Sequence, residues 1–287
     1  MTPRQGTGPV VVAVLAHRDP PLLRRLIARI HEGCNTVALV HYDPRGVPHG
    51  LTPSDRTLLV PDPAPVDWGR MNQAQAVLRL LAQTRRMVPG FSWMLLVSGQ
   101  DYPAQSLRRT EEELARSQAD AYVRWFPVPA APGSDSHPWQ ARCRTRYLRR
   151  IRVPASHRSV PWPRSSPFGD RLRLYIGDTW INLRASAVDH VLEQRARLAH
   201  LERYFSWCSC PDEALLPTLL LNDAEQLKIV ADRKRYIRWT EGKPSPQLLG
   251  LEDLPALSAS GDFFARKFDS QVTPEALDRL DELVGQR

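Results

Sequence analysis

An unbroken apolar run, Val10–Ala16, contains four valines in seven residues. A run of this length is far too short to cross a bilayer. With no polar residue to turn toward water, it reads as a strand buried on both faces. Asp19-Pro20 follows, a helix N-cap with proline in the first turn. Leu22, Leu23, Leu26, Ile27 and Ile30 then recur at helical spacing, and Gly33 is placed to end that helix. A second apolar run at 36–41 closes into the turn Asp43-Pro44-Arg45-Gly46. The pattern is a βαβ unit with parallel strands and a right-handed crossover.

The alternation continues. The sequence predicts strands at 57–60, 93–97, 121–126, 172–176, 180–183, 226–230 and 235–239. Helices are expected at 72–86, 107–117, 185–197, 212–221, 251–258 and 274–284. The order indicates an open α/β sheet. One domain over 1–287 is expected, with a C-terminal helix within 270–287. Residues 127–167, rich in Pro, Ser and Arg, read as an irregular excursion or lid over one face. A chain of this length buries roughly three quarters of its unfolded surface and needs no disulfide or metal staple. No signal-peptide pattern precedes the first strand. Four cysteines without such a pattern read as reduced and cytoplasmic. Cys208 and Cys210 form a C-x-C that cannot complete a tetrahedral metal site by itself.

The net charge of +8 invites a nucleic-acid reading. Of 39 basic residues only four are lysines, and the arginines are scattered among acids. The dense basic runs are 142–152 and 233–238. A small anionic ligand such as a nucleotide diphosphate fits this bias equally well.

Ligands of open α/β sheets sit beyond the carboxyl ends of the strands. Polar clusters fall there at Ala16-His17-Arg18-Asp19, His41-Tyr42-Asp43 and Ser98-Gly99-Gln100-Asp101. The glycine fingerprint for dinucleotides, the phosphate loop of ATPases and the serine-hydrolase elbow are absent. So is Asp-x-Asp, the pair with which many sugar-nucleotide enzymes hold a divalent cation; without it, side chains must neutralise the leaving group. Asp43 is placed either to accept bonds from a base or ribose or to shape its own turn. Pro211-Asp212-Glu213 opens an apolar helix. It is either an ordinary acidic first turn or the seat of a general base. Lys267, flanked by Phe264 and Phe268, suits a diphosphate or an ion pair with Asp269. Trp180 and Trp239 stack on a sugar or fill the core.

In register, these pieces resemble the core-2/I-branching β-1,6-N-acetylglucosaminyltransferase family, which also contains peptide O-xylosyltransferases. The matching segments are the first strand ending at His17, His41-Tyr42-Asp43, the stretch around Trp68 and Leu96-Val97-Ser98-Gly99-Gln100-Asp101-Tyr102-Pro103. They continue with Gly177-Asp178-Thr179-Trp180, Pro211-Asp212-Glu213 and Phe264-Ala265-Arg266-Lys267-Phe268-Asp269. The resemblance implies a glycosyltransferase-A-like, Rossmann-like open sheet with helices on both faces. It implies an inverting transfer from a UDP-sugar, N-acetylglucosamine first and xylose next, to a small-molecule or glycan acceptor. No metal, other cofactor, nucleic acid or membrane span is expected. By similarity Glu213 is the catalytic base. His17, Arg18 and Asp43 line the donor, and Lys267 meets the diphosphate with Lys243 or Arg266 as second cation. Asp101, Trp180 and Asp212 face the sugar or acceptor. Animal members carry a membrane anchor and many disulfides; neither is expected here, and a compact bacterial form is the expectation. The alternatives are a nucleotide-sugar-binding protein without catalysis and a basic nucleic-acid binder.

Overall fold

A computed structural model describes residues 8–128, 138–153, 156, 158–240, 243 and 245–285. The chain begins β1 (Val10–Ala16), α1 (Pro20–Ile30), β2 (Thr36–Tyr42), β3 (Thr57–Leu59), α2 (Met71–Met87), β4 (Trp93–Ser98) and β5 (Asp101–Pro103). It continues with α3 (Leu107–Arg116), β6 (Ala121–Tyr122), β7 (Trp125–Val128), α4 (Pro138–Leu148), β8 (Arg150–Arg152), β9 (Ser159–Pro161), β10 (Leu174–Gly177) and β11 (Asn182–Arg184). The last elements are α5 (Ala185–Arg197), α6 (His200–Phe205), α7 (Asp212–Leu221), β12 (Ile229–Val230), β13 (Arg235–Ile237), α8 (Leu254–Ser260), β14 (Phe264–Arg266) and α9 (Pro274–Gly285).

Among the described residues the main sheet has seven strands in the order β12-β6-β11-β4-β1-β2-β3. β1 lies parallel to β2 on one side and to β4 on the other. β11 runs antiparallel to both β4 and β6. Side chains alternate across β1. Val11 and Ala13 pack into a core with Val77 and Leu81 of α2, Val188 of α5 and Leu215 of α7. Val10, Val12 and Val14 pack on the opposite face against Leu23, Leu26 and Ile27 of α1 and Leu114 of α3. The expected open α/β sheet with helices on both faces is therefore what forms. The Asp19 cap is also present: its carboxylate accepts from the Leu22 amide at 3.2 Å.

Two expectations change. The single strand expected at 121–126 is two strands in two sheets. Ala121 and Tyr122 pair in the main sheet, whereas Trp125–Val128 pairs with β10. The described part of 127–167 is also not irregular. It holds α4 and the β8–β9 hairpin. Tyr147 anchors α4: its ring is fully buried against Phe205, and its hydroxyl donates to the Cys210 carbonyl at 2.8 Å. Both partners lie some sixty residues downstream, so no local pattern announces that anchor.

A smaller sheet, β13-β14-β5, sits at the carboxyl end of β4. β14 pairs antiparallel with β5, so the segment ending at Arg266 and Lys267 is delivered beside the strand ends of the main sheet. No helix among the described residues is long and apolar enough to cross a membrane.

Candidate functional site

β1 neighbours β2 on one side and β4 on the other, so chain connections leave its carboxyl end in opposite directions. That opens a crevice. Close backbone approach shapes it. A Cβ on Gly99 would lie 2.8 Å from the Ala16 Cβ, and one on Gly46 would lie 2.6 Å from the His17 carbonyl oxygen. His17 and Arg18, directly after β1, are exposed there. Partial burial of the imidazole, then the Arg18 charge, pushes the His17 pKa down, with Lys267 adding to the effect and Asp43 opposing it.

Lys267 arrives from β14, half-buried, with its Nζ 3.3 Å from Ser245 Oγ. Desolvation, then the Arg18 and Arg266 charges, lowers its pKa. An ammonium crowded by two guanidiniums gains from an arriving anion. Arg18 is 47% exposed and meets Asp269 only at 3.8 Å, leaving it able to serve the same anion. Lys243 is exposed, and its segment reaches Lys267 through Ser245.

Several residues singled out in the sequence are committed elsewhere. Asp43 is nearly buried. Its carboxylate accepts from the Arg45 amide and side chain and from the Val66 amide at 2.8 Å. The Arg45 hydrogen bonds hold its pKa well below the usual carboxylate range. Its lone pairs are filled, so it clamps the 43–66 loop rather than waiting for a base or ribose. Asp101 is fully buried, pairs with Arg235, and lies 3.5 Å from Arg266. It accepts from Ser98 as well. It offers no surface to a sugar. Arg266 lies between Asp101 and the Trp180 ring, 4.0 Å from the ring centroid, and is 12% exposed. It is held too firmly to act as the second phosphate cation. Trp180 in turn carries the guanidiniums of Arg266 and Arg235 against its ring, at 4.0 and 5.0 Å from the centroid, and is partly exposed.

The second part of the site is the start of α7. Cys210 takes left-handed backbone (φ 52°), and its amide donates to the Gly69 carbonyl at 3.0 Å. That turn aims the first residues of α7. Asp212 points inward, 3% exposed, accepting from Thr179 Oγ1 and from Gln73 Nε2 at 2.9 Å. It braces the helix start and does not face an acceptor. Glu213 points the other way. Its side chain is 41% exposed, and its Oε2 accepts from Arg146 at 3.0 Å. Oε1 meets no donor among the described residues. Surrounding protein and then Asp212 raise the Glu213 carboxyl to about 7, with Arg146 pulling the other way.

Asp178 joins the two parts. Its charge is felt by Glu213 and by Arg235 and Arg266, and it bonds Arg233 at 2.8 Å. Gln73, Arg146 and Thr179 were not singled out individually in the sequence. Arg146 sat unmarked within the basic run, and the bonds made by Gln73 and Thr179 span 139 and 33 residues. Among the described residues, no three His, Cys, Asp or Glu side chains gather as metal ligands.

The chain matches the family model of Core-2/I-Branching enzymes over residues 48–257. That span contains Asp101, Trp180, Asp212, Glu213 and Lys243; His17, Arg18, Asp43, Arg266 and Lys267 lie outside it. It is also similar to the Mus musculus protein beta-1,3-galactosyl-O-glycosyl-glycoprotein beta-1,6-N-acetylglucosaminyltransferase 4. Identity is 21% over 93% of this chain and 63% of that protein, so the chain spans under two thirds of the relative's length. With well over half of its residues inside the family model, the chain belongs to the Core-2/I-Branching enzyme family.

Proposed function

We propose that the protein is an inverting glycosyltransferase that moves a sugar from a UDP-sugar, UDP-N-acetylglucosamine first, to an acceptor hydroxyl. The observation that carries this reading is Glu213: a carboxyl raised to about 7, open on one oxygen, on a helix start inside the family span. A general base works best when its pKa lies near the working pH. Glu213 Oε1 takes the proton of the acceptor hydroxyl as the acceptor oxygen bonds the anomeric carbon. The bond from that carbon to the diphosphate breaks on the opposite face, which inverts configuration. Lys267 and Arg18 take up the charge that develops on the departing diphosphate, in the role a metal ion plays in other transferases. Their mutual repulsion is relieved as the anion binds. Arg18 replaces Arg266 in this role because Arg266 is spent on Asp101 and Trp180.

The test is Glu213→Gln, assayed for transfer from UDP-N-acetylglucosamine and for thermal stabilisation by UDP with and without EDTA. Turnover should fall by about 10²–10⁴-fold, while the UDP shift persists in both buffers. Near-normal turnover would remove Glu213 from the role. A UDP shift that vanishes with EDTA would replace the side-chain cations by a metal.

A further inference from the structure

Apart from Arg146, which bonds Glu213, the basic run 142–152 is absorbed neither by the donor site nor by the base. The structure lays part of it along a cavity of about 650 Å³ lined by Trp68, Arg142, Arg146, Arg150, Ser159 and Cys210, with no carboxylate among the described residues of its wall. Trp68 is 64% exposed, an uncommon expense of apolar surface for an isolated indole. Arg142 is exposed and has no acidic partner among the described residues. Arg150 bonds Ser159, which fixes its guanidinium in the wall. Arg146 is one of the lining residues, and it also bonds Glu213 Oε2 at 3.0 Å. The groove is therefore one residue removed from the carboxylate assigned as base.

We propose that this groove is the acceptor subsite and that it takes an anionic glycan, whose acidic group bonds Arg142 and Arg150 while a neighbouring sugar ring stacks on Trp68. The assignment of the groove as acceptor site rests on the transferase reading; its ligand chemistry rests on the groove alone. Guanidinium forks match carboxylates and sulfate esters with paired, charge-assisted bonds. Indole faces match the apolar face of a pyranose. A neutral acceptor would leave Arg142 unanswered. Arg146 already has Glu213 as its counter-charge, whereas Arg142 and Arg150 have no carboxylate partner among the described residues.

The experiment is a calorimetric titration of the full chain with three tetrasaccharides. One alternates glucuronic acid and N-acetylglucosamine, one is neutral chitotetraose and one is sulfated chitotetraose. A DNA duplex is the fourth ligand. An acidic tetrasaccharide should bind at least about tenfold more tightly than chitotetraose, and more weakly as salt rises. Arg142→Glu and Trp68→Ala should each weaken it by about tenfold, with unchanged circular dichroism. The better of the uronate and sulfate ligands names the acidic group. Equal binding of neutral and acidic tetrasaccharides, wild-type affinity in R142E, or binding of DNA alone would each overturn the proposal. None of these titrations depends on turnover, so a failed Glu213→Gln test would strike the transferase reading and leave the glycan result standing.

Discussion

Glu213 is set between two opposing influences, and pH resolves them. Burial and Asp212 lift its carboxyl to about 7, while Arg146 draws it down. A base must be ionised, so kcat/KM should rise with pH through about 7 and then level off. Arg146→Gln removes the lowering influence and should move that limb to higher pH, read from the pH–rate profile. A bracing role alone would lower the plateau without moving the limb. Stability runs the opposite way. In the unfolded chain the group titrates near its ordinary 4.5, so the folded state holds an extra proton between about 4.5 and 7. The wild type therefore loses stability as pH rises through that window. Glu213→Gln is spared this loss, and its urea midpoint, relative to wild type, should climb across the same window. Asp212, one residue earlier, shares the same acidic first turn and has a different task, because side-chain direction on the helix and not residue type decides which carboxylate meets solvent.

At the scale of elements, β14 leads directly into Lys267, the cation proposed to meet the diphosphate, and β14 is held by what lies beneath it. Arg235 and Arg266 converge on Asp101, which is fully buried. Burial brings Arg235 down to about 10, with Asp101 opposing that fall. Removing the anion leaves two guanidiniums without their charge partner. Asp101→Ala should cost about 3–5 kcal/mol in urea unfolding and weaken the UDP thermal shift by loosening the Lys267 segment. Local pattern announced β1 to β4, α1 to α3, α5, α7, α8 and α9, the elements with their own apolar stripe or clear caps. Those it missed draw their stability from distant partners. α4 depends on Tyr147 meeting Phe205 and the Cys210 carbonyl. The break between β6 and β7 depends on which strand each one finds, β11 and β12 or β10.

Across the whole molecule, the C-terminal helix closes the fold on its first βαβ unit. Leu277 and Leu280 of α9 pack with Leu22 and Tyr102. Asp281 accepts from Arg25 at 2.9 Å, from Arg29 at 2.6 Å and from the Tyr102 hydroxyl at 2.6 Å. Burial alone would raise the Asp281 carboxyl; the bonds from Arg29, Tyr102 and Arg25 outweigh it and hold the pKa below 3.8. The sign follows. This group contributes stability above its unfolded pKa and loses it as pH falls through the lower folded value. Asp281→Asn should destabilise the protein by about 1–3 kcal/mol at neutral pH, with the gap to wild type closing in acid, measured by urea midpoints from pH 7 to pH 2.

What the amino-acid sequence determined by itself was the class of fold and the list of candidates. Apolar periodicity, caps and chain order suffice for an open α/β sheet, since those signals act over a few residues. The family resemblance brought His17, Arg18, Glu213 and Lys267 forward as site residues, and the structure leaves all four side chains open to solvent to some degree. The tertiary structure alone decided which charges are already answered. Asp43 is saturated by Arg45 and Val66, Asp101 by Arg235 and Ser98, and Arg266 lies against Trp180. It also brought Arg146 to Glu213 across sixty-seven positions of chain. A charge read in sequence has no neighbours beyond its own turn. Whether it waits for a ligand depends on partners that only folding brings within hydrogen-bond reach.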